Sequence, residues 1–520
     1  MVIDDENKPR TLYVSNSDLM NFQAAPWVQN LTYEGWVGVP DYGARTLVAK
    51  FMLEYRTGKL LRLVDTGGWH GDIYVPPGGE VIGAIEGERE QPFLHPAPEA
   101  KFQTGGSLEG WKGSIGLWAV GNSRLILAIC AALAAFLLRY RREAESFGVH
   151  FHGVSSQGKT TVAQAAASLC GLGSVSGGYI GSWRATENAL AGLAAQHNDA
   201  PMFLDETGLT DAKTLYKATY GIAEGKDKDR LDRDAKLKRT KKWRVTFIST
   251  GEKALAGKLA EAGLDPQGGQ AVRFLNIPAP ENSDYGFFED IHDFESANAF
   301  ANAIKQAAVS HYGHIAPAFI ARLIETGHAE IEARLKEYLN KNIGKLCGED
   351  ADGQVKRVAG HFLLCAFAGR LATEWGLLPW ETNDAFRAAK KCYRGWLATR
   401  GTTGAMEDKA LIDRVRLFIT EHGDSRFQNL DGDESKSFLV RDRAGFKFVE
   451  KSGKLLYLFT KEIFQKEICK GLDPTRAAAV LHQHGMLKRD SAGYMIKPSR
   501  KLPDVGRARC FAILLPDKNE

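Results

Sequence analysis

Eight consecutive residues carry the clearest chemistry in this chain. Gly153-Val154-Ser155-Ser156-Gln157-Gly158-Lys159-Thr160 fit the pattern G-x-x-x-x-G-K-[ST] in full. Such a loop wraps phosphates with backbone N–H groups at a helix N-terminus, where the helix dipole favours negative charge. Gly153, Ser155, Ser156, Gln157, Gly158, Lys159, Thr160 and Thr161 are therefore the expected ATP-binding residues. Lys159 would set a positive charge against the β- and γ-phosphates, and the Thr160 hydroxyl would ligate Mg²⁺.

A second segment, Pro201-Met202-Phe203-Leu204-Asp205-Glu206, is an apolar strand ending in two carboxylates. Asp205 would share the Mg²⁺ with Thr160, while Glu206, facing the other way, would orient and deprotonate the attacking water. A glutamate at this point favours hydrolysis over phosphoryl transfer, because P-loop kinases do not normally keep one there. A third strand, Trp243 to Ile248, ends in Ser249-Thr250-Gly251-Glu252. In the additional-strand class of P-loop ATPases, a polar residue at such an end touches the γ-phosphate. Ser249 and Thr250 both qualify, and Thr250 is grouped with the catalytic residues Lys159, Asp205, Glu206 and Arg273. Within Gly268 to Pro278, Arg273 opens a further apolar strand. It either reaches the γ-phosphate of a neighbouring subunit or pairs with a local carboxylate.

These side chains need a scaffold that presents several strand ends together. Residues 147–280 alternate strand-like and helix-like text, the pattern of a parallel sheet flanked by helices. The P-loop follows the strand Phe147–Phe151 and precedes an Ala-rich helix, Thr161–Leu169. Upstream, Thr11 to Phe93 is rich in Gly, aromatic and β-branched residues, with turn signals such as Pro40-Asp41-Tyr42-Gly43, and predicts short strands. Residues 282–403 read as mostly helical, for example Asn298–Val309 and Phe319–Leu339. The tail predicts a helix, short strands, helices at about Lys461–Lys470 and Pro474–His484, and final strands ending at Leu515, an order that suits a winged helix. The expected fold is α/β: a β-rich N-terminal domain (1–105), a P-loop ATPase core of AAA+ type (106–281), a helical region (282–404) and a winged-helix-like domain (405–520).

Between the acidic strand and the third strand runs a basic segment, Gly225 to Lys242. Counted on to Arg244 it holds ten Lys or Arg against four Asp. Such a run is commonly a solvated face. In ring helicases, however, a hairpin inserted at this point grips the DNA backbone, and phosphate contacts require Lys and Arg at a projecting tip. Lys226, Lys228, Arg230, Lys236, Lys238 and Arg239 are the expected DNA contacts.

Bulk properties constrain the rest. The 520 residues are 44% hydrophobic and 25% charged with a net charge of +4, an ordinary balance that gives no overall nucleic-acid signal. Seven isolated cysteines without a C-x-x-C pair argue against zinc and a disulfide framework, and favour the reducing cytoplasm. The apolar run Leu125 to Leu138, fourteen residues between Arg124 and Arg139, is short of a membrane span and predicts a buried core helix. The acidic start, Asp4-Asp5-Glu6, does not suit a signal peptide.

The motifs together resemble the DUF927 family found in plasmid, phage and integrative-element proteins, and the replicative helicases of staphylococcal cassette elements. The resemblance rests on Gly67-Gly68-Trp69-His70, Gly121-Asn122, the P-loop, Ser182 to Asn188, His197-Asn198-Asp199, Leu204-Asp205-Glu206, Ser249 to Glu252 and Val272-Arg273. Ser425-Arg426-Phe427 and Arg443-Ala444-Gly445-Phe446 extend it into the tail. It implies a hexameric AAA+-like motor that uses ATP and Mg²⁺ to move on single-stranded or forked DNA in replication. The alternative is a nucleotide-switched DNA-binding initiator or regulator that does not unwind far.

Overall fold

The computed structural model describes residues 2–3, 9–10, 14, 16–21, 26–33, 41–55, 60–78, 80–83, 90–94, 101–141, 145–228, 240–263, 272–281, 283–348, 351–400, 406–431, 440–469, 472–491 and 493–515. The chain divides into two compact units, Met1–Val64 with Ala84–Phe93, and Asp65–Gly83 with Leu94–Glu520.

The smaller unit carries helices Asn16–Met20, Pro26–Tyr33 and Tyr42–Glu54. Their core is Leu19, Trp27, Val28, Leu31 and Ala49. The expected short strands are found at Leu60–Val64, Gly68–His70, Ile73–Val75 and Glu90–Leu94, but the text before them is helical, so the stretch is mixed rather than β-rich among the described residues. Asp41 shows why. It belongs to a sequence that signals a turn, but its carboxylate accepts the N–H of Ala44 at 3.1 Å and caps the helix Tyr42–Glu54. The same residue types favour turns and helix N-caps, since both use a short side-chain acceptor.

The larger unit is built on a five-stranded sheet. Across it lie Phe274–Pro278, Phe147–His152, Thr246–Gly251, Pro201–Asp205 and Ile180–Ser182, in that order. Every neighbouring pair is parallel. Parallel sheets are covered on both faces, so their strands are apolar throughout. Phe147, Val149, Phe151, Met202, Phe203, Leu204, Phe247 and Ile248 are all buried. The strand Thr246–Gly251 lies between the P-loop strand and the acidic strand, pairing Thr250 with Phe151 and Ser249 with Leu204. Five parallel strands ending on one side bring the P-loop, Asp205 and Thr250 to one edge.

The apolar run forms the helix Ser123–Ala134 and a 3-10 extension to Tyr140, and all twelve residues of the helix are buried. Ser123–Tyr140 is long and apolar enough to cross a membrane, yet 94% of it is enclosed in the protein. It packs against Lys159–Ala167, Gly353–Glu374 and Asp384–Arg400, binding the sheet to the helical region. Burying one Leu or Ile side chain stabilises by ~1.5–3 kcal/mol. A polar substitution at Leu127 or Ile129 would break this junction.

The helical region consists of Ala297–Ser310, Ile315–Thr326, His328–Leu346, Gly353–Glu374 and Asp384–Arg400. The helical text expected from Phe319 to Leu339 is divided at Gly327, whose φ of +88° interrupts the helix. In the tail, the helices Met406–His422 and Pro474–Gln483 accompany a sheet ordered Phe427–Asn429, Gly445–Val449, Leu455–Phe459, Phe511–Leu514, Leu487–Lys488. Phe427, Phe459, Phe464, Leu481 and Ile513 fill one face of this sheet, while Phe446, Leu458 and Leu502 fill the other.

Candidate functional site

The P-loop strand ends at His152, and the helix Lys159–Ala167 begins seven residues later. Gly158 closes the loop at φ +92°, and a Cβ there would lie 2.8 Å from the Phe288 ring, so glycine is required twice over. Ser156 also has positive φ, at 63°. The turn leaves the first N–H groups of the helix free for an anion. Lys159 Nζ donates to the carbonyls of Gly153 (2.9 Å) and Val154 (2.6 Å), folded across the loop it would open onto phosphate. Desolvation lowers its pKa, opposed by the charges of Glu252 and Asp205.

Three side chains meet beside this loop. Thr160 Oγ1 donates to Asp205 Oδ1 at 3.3 Å. Thr250 Oγ1 donates to the same carboxylate oxygen and accepts the Glu206 N–H at 3.3 Å. Asp205 is buried and Glu206 exposed. Glu206 has φ 59°, an unusual left-handed conformation that ends the strand directly after Asp205.

Ser249 faces the opposite side of the strand, as the two-residue period requires. Its hydroxyl accepts Trp183 Nε1–H at 2.8 Å and lies 3.0 Å from His150 Nδ1. Burial lowers the pKa of His150 to about 3, so the ring is neutral. Its Nε2 is 3.0 Å from the Lys253 carbonyl and must carry the proton, which leaves Nδ1 to accept from Ser249. Ser249 thus belongs to a buried strut, and Thr250 is the hydroxyl facing the carboxylates.

A cavity of about 860 Å³ opens on Ser155–Thr161, Glu206 and Thr250. It is also lined by Glu252, from the polar end of the third strand, and by Tyr285, Asn298 and Lys305, which the sequence motifs did not single out. The Asp284-Tyr285-Gly286 turn was the one local signal available; nothing local pairs Lys305 with a loop some 150 residues upstream.

Several motif residues prove to be structural. Asp199 is fully buried and pairs with Arg244 through two bonds of 3.0 Å, although desolvation raises its pKa. It also accepts the Trp69 N–H at 3.4 Å, and Asn198 Nδ2 donates to Gly67 O at 2.9 Å. The Gly67–His70 motif is therefore clasped onto the His197–Asp199 motif. A Cβ at Gly68 would lie 2.4 Å from the Asn198 carbonyl, so only glycine fits there.

Arg273 sits at the far end of the sheet from its own P-loop, with its carbonyl accepting the Gly148 N–H at 2.7 Å. Its guanidinium grips Glu145 at 3.0 and 3.1 Å, and Arg357 lies 3.8 Å from the same carboxylate. The hydrogen bond from Arg273 holds the pKa of Glu145 below its ordinary value.

Of the basic segment, the structure describes a stem. Lys226 bridges Lys242 in antiparallel fashion, and Asp227 N–H donates to Lys241 O at 2.9 Å. Lys228 pairs with Glu187 at 2.8 Å and Lys226 with Glu224 at 3.4 Å. Arg230, Lys236, Lys238 and Arg239 lie outside the described residues.

Residues 3–243 match the family model described as a domain of unknown function, DUF927. No curated protein matches the chain. A solved structure titled "SCCmec type IV Cch - active helicase" superposes with a TM-score of 0.69 at 18% identity, covering 96% of this chain and 87% of that one. At that identity the likeness is one of fold. NtrX from Brucella abortus in complex with ATP reaches a TM-score of 0.20 at 18% identity over 50% of this chain and 66% of that one, too low to carry an argument.

Proposed function

We propose that this chain, which carries a DUF927 domain and shares its fold with a mobile-element helicase, is an ATP-driven DNA helicase or translocase. The observation that carries the reading is the Thr250 hydroxyl. It ties Asp205 to the backbone of Glu206 at the end of the central strand, beside Lys159 and Thr160. That is the arrangement an ATP hydrolase needs.

Thr160 and Asp205 are adjacent oxygen donors suited to Mg²⁺, which when bound would neutralise charge on the β- and γ-phosphates. Lys159 would leave the Gly153 and Val154 carbonyls for those phosphates. Glu206 would take the proton from a water whose oxygen attacks the γ-phosphorus as the bond to ADP breaks. Thr250 would hold Asp205 and Glu206 in register and sense the γ-phosphate.

Arg273 is too far along the sheet to serve its own site, which supports a role across a subunit interface in a ring, a homo-hexamer on this reading. The antiparallel stem supports contact of this basic segment with single-stranded or forked DNA, through Lys226 and Lys228 on the stem and through Arg230, Lys236, Lys238 and Arg239. The tail, with its helices and five-stranded sheet, suits a winged-helix DNA-binding domain. A cytoplasmic protein acting in the replication of a mobile element fits these parts. Particle images with ATP and DNA test the ring: six-fold particles are expected, and monomers under those conditions would refute it.

A further inference from the structure

The P-loop holds phosphates and carries no information about the base. The cavity around it is larger than a phosphate chain needs, and lies within the ~300–1,000 Å³ usual for whole small molecules. Resting on the ATP reading above, we propose that Tyr285 is the platform on which the nucleotide's base stacks.

Tyr285 lines the same cavity as Lys159 and remains 39% exposed, whereas Phe287 and Phe288 just after it are buried to 0% and 1%. Among the described residues its ring meets no other aromatic ring. The turn beneath it is tied by hydrogen bonds of its own. Ser283 Oγ accepts the Tyr285 N–H at 3.1 Å and donates to the Phe288 carbonyl. Phe288 packs edge-on against Phe300 at 4.9 Å, and Phe287 against Phe151 at 6.0 Å.

The turn is also fixed to the phosphate loop. Phe287 N–H donates to Gln157 O at 2.9 Å. Gly286, at φ +69°, lets the two segments approach so closely that a Cβ would lie 2.6 Å from that carbonyl. The offset between the phosphate site and the aromatic ring is thereby set by backbone. An exposed aromatic face on a turn held in this way offers stacking at little ordering cost, and Asn298 and Lys305 line the same cavity.

The experiment measures binding of ATP, ADP and inorganic tripolyphosphate to the full chain and to Tyr285→Ala, Tyr285→Phe and Tyr285→Trp. Tyr285→Ala should weaken ATP and ADP by about 5- to 150-fold, equivalent to ~1–3 kcal/mol for one base–aromatic stack, and leave tripolyphosphate within about twofold. Phe and Trp should retain nucleotide affinity. Unchanged ATP affinity in Tyr285→Ala, or equal weakening of tripolyphosphate, overturns the platform. Lys159→Ala serves as the control: if it keeps all three ligands, the nucleotide-site reading itself has failed.

Discussion

Arg273 grips Glu145 through two parallel hydrogen bonds, Nε to Oε2 at 3.0 Å and Nη2 to Oε1 at 3.1 Å, at the end of the sheet opposite the P-loop. The sequence left two roles open for this arginine, a local ion pair or a hand across a subunit interface. The pair exists, and it does not close the second role, because a carboxylate can hold a guanidinium in place for a neighbour. Mixing Arg273→Ala with Lys159→Ala, each inactive alone, separates them. A ring should regain part of its ATPase at interfaces pairing an intact P-loop with an intact arginine, since a trans arginine is worth ~10³–10⁵ in rate. No recovery with subunit exchange demonstrated would leave Arg273 a structural residue.

The same pair predicts a pH effect. Arg273 lowers the pKa of Glu145, so the pair stabilises above the unfolded carboxylate value. That contribution is lost as pH falls below the ordinary glutamate value and on through the lowered one. Glu145→Gln should therefore lose stability at neutral pH and converge with the parent in acid. Parallel Tm curves for the two proteins across this range would contradict the assignment.

The two hydroxyls at the end of the central strand should behave differently. Thr250→Val removes the link between Asp205 and Glu206, and Glu206→Gln removes the base. Each should bind ATP and turn over more slowly, Glu206→Gln by about 10²–10⁴-fold. Ser249→Ala disturbs only the Trp183–His150 strut, lowering Tm while the folded enzyme stays active. Parental turnover in Glu206→Gln would assign the base elsewhere.

The clasp between motifs makes a stability prediction. Asp199→Ala strands the partly exposed Arg244 and leaves the buried Trp69 N–H without its acceptor, which costs about 1–3 kcal/mol. A denaturant midpoint equal to the parent's would contradict it.

Much of the phosphate site was legible because its pieces are local: a glycine loop, a lysine and an apolar run ending in acids. Ser249 and Thr250 could not be separated that way, since adjacent strand residues face opposite sides and the sequence does not say which side holds the phosphate. Asp41 misled for a related reason, as a helix cap and a turn use the same residue types. Lys305 gives no local signal because only tertiary folding brings it to the P-loop, and Tyr285 gives no more than a turn. Leu125 to Leu138 is core as its unbroken apolar run suggests, but length does not decide this, since the helix that contains it is long enough to cross a membrane.

The basic segment makes a salt prediction. Replacing Lys236, Lys238 and Arg239 by Ala should weaken DNA binding and flatten its salt dependence, because fewer phosphate contacts release fewer counterions. Basal ATPase should persist with less stimulation by DNA. An unchanged salt slope would mean the run is a solvated face.

Strand displacement on a forked DNA tests the central claim most directly. The parent chain should separate the strands only with hydrolysable ATP, and Lys159→Ala, folded by its Tm, should separate none. A parent that hydrolyses ATP and binds the fork, yet releases no strand at any concentration that saturates the DNA, would contradict the helicase reading and leave a nucleotide-switched DNA-binding protein.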